Sequence, residues 1–234
     1  GKSGYWTEKA AASGFAMAQF ARGLMAAFLE GYPRDEALAV RYLRKAAEQG
    51  KDRAQFYLAM MYWQGRGVPK NDGEAVHWNA LAAYYATGEL CRIAGVPYPD
   101  LSEFQKETQS GFVGSLYTFS KAEVLKNNPE DFVYYVPQNS YTAKFYNKGN
   151  YDLSSPDMTR SSCLFDLSGS TSGKYATFLG ADDYFVHIET ELDTGRNLVI
   201  FKDSYGNALA PFVATAFDNI YIADIRSYER NGLE

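Results

Sequence analysis

The stretch NLVIFKDSYGNALAPF, residues 197–212, decides how the carboxyl-terminal part of this chain folds. Leu198, Val199, Ile200 and Phe201 form an uninterrupted apolar run, the pattern of a strand buried on both faces. A Lys-Asp-Ser-Tyr-Gly-Asn turn follows, then an apolar stretch to Phe217, then a second apolar strand from Ile220 to Ile225. The interval of about 18 residues between them fits a right-handed β-α-β crossover. Pro211 bounds the connecting helix, because proline is tolerated only in a first turn, where its missing amide has no partner to lose. The helix is therefore predicted to start near Asn207, leaving Ser204 in the turn at the carboxyl end of the strand. A serine there is expected to be exposed and to face the free N–H groups of a helix amino terminus, an arrangement that binds an oxyanion. Ser, Asp, Gly and Asn are also ordinary turn formers, so the turn alone does not assign catalysis.

Working outward, the amino-terminal third is a repeat. Residues 15–50 and 51–86 align without gaps at a period of 36: Ala18-Gln19-Phe20 recurs as Ala54-Gln55-Phe56, Ala39-Val40 as Ala75-Val76, and Ala46-Ala47 as Ala82-Ala83. A period of this length marks stacked helical hairpins. Small residues at Ala18/Ala54 and Ala46/Ala82 let helices approach, and Phe20/Phe56 and Tyr42/Trp78 fill the space between them. A Gly-Val-Pro turn at residues 67–69 is predicted to end the first helix of the second hairpin. Trp6, Ala10, Ala11 and Gly14 fall one period before Tyr42, Ala46, Ala47 and Gly50. The chain thus begins in mid-repeat and is expected to be a piece of a longer product, with an upstream signal peptide or anchor left open. The string AQFYLAMMYWQGRGVPKNDGEAVHW resembles the Sel-one-like repeat, a relative of the tetratricopeptide repeat.

The remainder resembles a second family. Asp203-Ser204 after an apolar strand is similar to the Gly-Asp-Ser nucleophile block of SGNH hydrolases, with Lys202 in place of the glycine. KDSYGNALAPF followed by NIYIADIRSY resembles the DHHW family, a mostly extracytoplasmic bacterial group related to alginate O-acetyltransferases. That family carries a motif close to DHHWT-x-x-GAYYAY ahead of the serine. AVHWNALAAYYAT, residues 75–87, puts His77, Trp78, Tyr84 and Tyr85 on its positions. The resemblance covers residues 76–228. It implies an α/β, SGNH-like (flavodoxin-like, three-layer) partial domain over 76–234, preceded by Sel-one-like repeats over 1–75. It further implies a serine esterase or O-acyltransferase acting on a carbohydrate or cell-envelope ester, outside the cytoplasm and without cofactor or metal. Ser204 would be the nucleophile and His77 the base, with the oxyanion held by the backbone of Ser204 and Gly206 and by Asn207.

One family position departs. The triad acid, two residues before the histidine, is Ala75 here. Such a carboxylate orients the imidazole and stabilises the imidazolium, and its loss costs on the order of ten-thousand-fold in serine proteases. Glu74, one residue further back, could reach the histidine in its place, as could Asp72, though the resemblance implies neither. On this reading, replacing Ala75 with Asp raises activity. The rival expectation is a non-catalytic interaction module: the repeats bind a protein partner, the serine domain is vestigial, and His77 is simply the counterpart of Arg41 on a polar helix face.

Composition narrows the field. A net charge of −5 without a basic cluster argues against nucleic acid and anionic membrane surfaces. No apolar stretch approaches the ~20 residues of a spanning helix. Cys91 and Cys163 are too few for a zinc site; one bridge or two thiols both fit. His187 is expected on a half-exposed strand face, Leu101–Gln109 as a helix, and Gly169–Gly173 as a loop edging the cleft. Asp182 and Asp183, adjacent in sequence, point apart and make a poor acid–base pair.

Overall fold

The computed structural model describes residues 2–112, 123, 127, 129–146, 154–157, 163–167, 177–180 and 185–224. For Lys2, Ser3, Phe112, Glu130, Ser204 and Tyr205 the description is of the backbone. Gly169–Gly173, Asp182, Asp183 and Ile225, singled out above, lie outside these residues.

Five helices come first: α1 (Lys2–Ala12), α2 (Ala16–Phe28), α3 (Glu36–Glu48), α4 (Asp52–Gln64) and α5 (Asp72–Ala94). The period of 36 is realised residue by residue. Asp35 and Asn71 are equivalent and both are N-caps, accepting from the amides of Leu38 (2.8 Å) and Glu74 (2.5 Å). Gln19 and Gln55 are equivalent too. Both are buried, and both donate to a carbonyl of the helix before, Ala11 at 3.3 Å and Ala47 at 3.1 Å. Each glutamine thus ties one hairpin to the last, and the Gln19 bond shows α1 in the role of a preceding second helix. Phe20 and Phe56 occupy the same place in α2 and α4. The turn after α4 differs in detail from expectation: α4 ends at Gly65, which is left-handed (φ 67°), ahead of the Gly-Val-Pro segment. Gly67 (φ 71°) instead lets the chain lie against α3, where a Cβ would stand 2.2 Å from the Glu36 carbonyl oxygen.

Strands follow: β1 (Gln105–Phe112) pairs antiparallel with β2 (Glu130–Val136). A second sheet has the order β3-β4-β6-β5, from β3 (Tyr141–Tyr146), β4 (Phe185–Thr190), β6 (Asn219–Asp224) and β5 (Asn197–Lys202). The predicted parallel pair is present, in register from Asn197↔Asn219 to Lys202↔Asp224. Three expectations change. Residues 101–109 are a 3-10 turn and then β1, since the Asp100–Glu103 capping box closes only Leu101–Glu103. His187 is buried, stacked on Tyr221 with ring centroids 4.4 Å apart and bonded to Asn219 at 3.1 Å. Finally β5 is an edge strand, not a strand buried on both faces: Val199 and Phe201 are 59% and 68% exposed. An apolar run does not reveal which face of an edge strand is covered.

Two hydrophobic cores meet at α5. Leu43, Leu58, Met61, Ala75 and Trp78 belong to the repeat core. Val76, Ala80 and Ala83 belong to the other, with Phe132, Phe145, Ile188, Phe212 and Ile220. The protein is therefore a mixed helix-and-sheet structure with an amino-terminal helical repeat segment. Among the described residues no helix is long and apolar enough to cross a membrane; Cys91 (buried) and Cys163 (exposed) are not bridged to each other, and the Cys163 Sγ lies 3.6 Å from the Tyr141 hydroxyl.

Candidate active site

The serine segment sits where the parallel pair ends. After Lys202 the chain forms a 3-10 helix, Ser204–Leu209, and then a short helix α6 (Ala210–Val213), with Pro211 in its first turn. The α-helix thus begins three residues later than Pro211 alone suggested, because the 3-10 turn absorbs Ser204 to Leu209. The Gly206 amide donates to the Asp203 carbonyl (3.0 Å) and closes this turn. Asn207 is buried. The sequence-derived oxyanion donors are therefore placed as a turn amide already engaged and a side chain within the core.

Beneath the turn lies a feature that sequence reading missed. Lys202 and Asp224, register partners across β5 and β6, form a buried ion pair, Nζ to Oδ2 3.4 Å. The turn folds down on the lysine so closely that a Cβ at Gly206 would lie 2.5 Å from the Lys202 Cβ. Glycine is needed at 206 for this close approach. Lys202, read above only as a substitute for the family's glycine, holds the floor of the serine turn.

Helix α5 packs against the serine turn. Between them and α4 is a cavity of about 300 Å³. Asp52, Arg53 and Phe56 of α4 form one side; Asn79, Ala82, Ala83 and Ala86 of α5 form the second; Gly206 and Leu209 form the third. A larger cavity, about 460 Å³, is lined by Tyr98, Phe104, Asn139 and Leu192. It sits at the opposite end of the four-stranded sheet from Ser204.

His77 is inside α5, and helix geometry fixes its direction. Successive side chains turn about 100°. His77 is therefore about 200° from Asn79 and about 180° from Ala86, two of the residues that share the cavity with Gly206. The charges acting on its imidazole are Glu74 on its own helix and Lys106 on β1. Burial, aided by Lys106, holds its pKa below the ordinary histidine value, while Glu74 opposes them. The ring is neutral at pH 7, and among the described residues its buried Nδ1 has no hydrogen-bond partner.

The same register explains why an acid at 75 could not serve here. Residues two apart lie on opposite sides of a helix, and Ala75 faces the repeat core. Glu74, three residues before His77, is on its side. One Glu74 oxygen accepts from the Trp78 indole at 2.9 Å. The repeat thus continues helical structure through the Asp-x-His position, and Glu74 is the carboxylate that a helix can present to this histidine.

Comparison with known proteins follows these divisions. The DHHW protein profile matches residues 60–223, and the Sel1 repeat profile matches residues 2–15 and 16–51. No curated protein matches the chain. Among solved structures, the chain is similar to a DHHW family protein from Eubacterium siraeum DSM 15702. The two are 34% identical, with 88% of this chain and 68% of that one covered and a TM-score of 0.61. A Sel1 repeat protein from Oxalobacter formigenes is 50% identical over 40% of this chain and 29% of its own (TM-score 0.35). Bacillus cereus PatB1, solved with a sulfonyl adduct, is 14% identical over 79% of this chain and 66% of its own (TM-score 0.49), a likeness too slight to carry an argument.

Proposed function

Because the chain belongs to the DHHW family, we propose that it is a serine esterase or O-acyltransferase of SGNH-like type, acting on a carbohydrate or cell-envelope ester outside the cytoplasm. The observation that carries this reading is the intact Asp203-Ser204 block at the carboxyl end of the parallel β5–β6 pair, beside a cavity of about 300 Å³. We divide the chain into repeats over 1–75 and a catalytic-type domain over 76–234, with α5 shared between them.

In the reaction, the Ser204 hydroxyl attacks the ester carbonyl while the His77 imidazole takes its proton. The tetrahedral oxyanion is held by the Ser204 amide and by the Gly206 amide once it exchanges its bond to Asp203; Asn207, buried in the core, joins them only by turning outward. Collapse breaks the ester C–O bond, and the imidazolium returns the proton to the departing alcohol. Water or an acceptor hydroxyl then attacks the acyl-serine, giving up its proton through the same imidazole. Glu74 steadies the imidazolium in place of the missing acid at 75. Since α5 turns His77 about 180° from the cavity face, the cycle requires α5 to turn or shift before the imidazole meets Ser204.

A second reading is favoured by that same placement of His77: a non-catalytic module whose Sel1 repeats engage a protein partner. Labelling with a fluorophosphonate separates the two. Wild-type protein should be labelled and Ser204→Ala should not. Absence of labelling in folded wild-type protein would sink the enzyme reading.

A further inference from the structure

The cavity beside the serine turn is walled by the repeat. Phe56 comes from α4, a helix of the repeat segment, and faces Leu209 and Gly206 of the serine segment across it. Along α5 the cavity face carries Ala82, Ala83 and Ala86, small side chains that leave room between the helix and the turn. Ala82 and Ala83 are buried, Phe56 and Leu209 are half-buried, and Ala86 is exposed at the mouth. The lining is therefore mostly apolar in depth, where the buried Asn79 adds an amide. Its charged groups, Asp52 and Arg53, stand together in the first turn of α4.

We infer that this cavity is the acyl-chain pocket of the serine site, and that the helical repeat, by supplying Phe56, sets the length of acyl group accepted. The inference rests on the serine reading above and names its substrate class: esters of straight acyl chains of about four to eight carbons. A sugar ring is the poorer occupant, since in depth most of its hydroxyls would lose water against alanine, leucine and phenylalanine, with Asn79 the buried polar side chain to partner them. Size sets the chain length. A methylene needs roughly the room of a water molecule, about 30 Å³. A two-carbon acetyl group would leave most of the space empty, whereas six to eight carbons would occupy well over half of it. Each buried methylene strengthens binding about fourfold, so preference should climb steeply with length until the pocket is occupied.

The test uses the full chain, p-nitrophenyl esters from acetate to decanoate, and direct titration with sodium hexanoate followed by ligand-observed NMR. Wild-type protein should prefer hexanoyl or octanoyl to acetyl esters by at least tenfold and should bind hexanoate. Ala86→Phe, which plugs the mouth from an exposed position, should weaken hexanoate binding by tenfold or more. Phe56→Ala should shift the preference to longer chains, and Ala86→Leu serves if the phenylalanine variant shows a lowered unfolding temperature. Turnover with a chain-length preference that neither variant moves would overturn the pocket and leave the serine reading intact. Hexanoate binding removed by Ala86→Phe, in a protein that turns nothing over, would sink the serine reading and with it the acyl-enzyme role of the cavity, leaving a site that binds a carboxylate-bearing chain. No hexanoate binding by folded wild-type protein overturns the pocket whatever the turnover.

Discussion

Ala75 and Glu74 are adjacent in sequence and on different sides of α5, and that difference reverses an expectation. With Ala75 on the repeat-core side and 7% exposed, Ala75→Asp buries a carboxylate without a partner and cannot reach His77. It should cost at least about 2 kcal/mol of stability, measured by urea unfolding, with no gain in turnover. An unchanged unfolding midpoint would mean that the helix does not run straight through residue 75. His77 supplies the pH signature. Its folded pKa lies below the unfolded value because burial penalises the charged ring. The folded state therefore binds fewer protons than the unfolded one just below the ordinary histidine pKa. The stability from this group is complete above about pH 6.5 and is lost as pH falls through the folded pKa. His77→Gln should flatten that slope. Glu74→Gln, removing the one charge that favours imidazolium, should move the His77 NMR titration midpoint further down.

Elements bring together what single residues do not announce. Lys202 ends β5 and Asp224 ends β6, and parallel register makes them neighbours. Removing one partner of a buried pair strands the other charge, so Lys202→Met alone should cost about 3–5 kcal/mol. Lys202→Met with Asp224→Leu should recover much of that loss, because two apolar groups leave no stranded charge. Equal losses in single and double variants would show that the pair does not act as a unit. The hairpin turns carry their own constraint. Gly67→Ala forces a Cβ into the Glu36 carbonyl at a left-handed position and should lower stability by more than about 1 kcal/mol, seen as a lower Tm.

At the scale of the molecule, α5 ties repeat and sheet into one cooperative body, since its 23 residues contribute to both cores. Leu58→Ala in the repeat core should cost about 2–5 kcal/mol. It should also lower amide-exchange protection in β5 and β6, far from the substitution. Loss of protection confined to α2–α5 would show that the two parts unfold independently. The repeat is then more than an appended module, because its last helix also walls the cavity beside the serine turn.

The repeat could be read from the chain because its period places equivalent residues in equivalent local surroundings: Asp35 and Asn71 cap, Gln19 and Gln55 tie, Phe20 and Phe56 pack. The parallel pair was equally legible, since two apolar runs at crossover spacing admit few alternatives. The edge position of β5 was not, because an apolar run looks the same whether one face or both are covered. Nor was the direction of His77. Motif spacing records which residues are present, but side-chain direction follows from backbone conformation, and a helix turns about 100° per residue where an extended chain alternates. The sequence by itself determined the repeat, the strand pair and the serine turn between its strands. Only the tertiary structure decided that α5 runs unbroken through the histidine, that Lys202 meets Asp224, and that Phe56 of the repeat faces the serine turn, because each depends on packing between segments far apart in the chain.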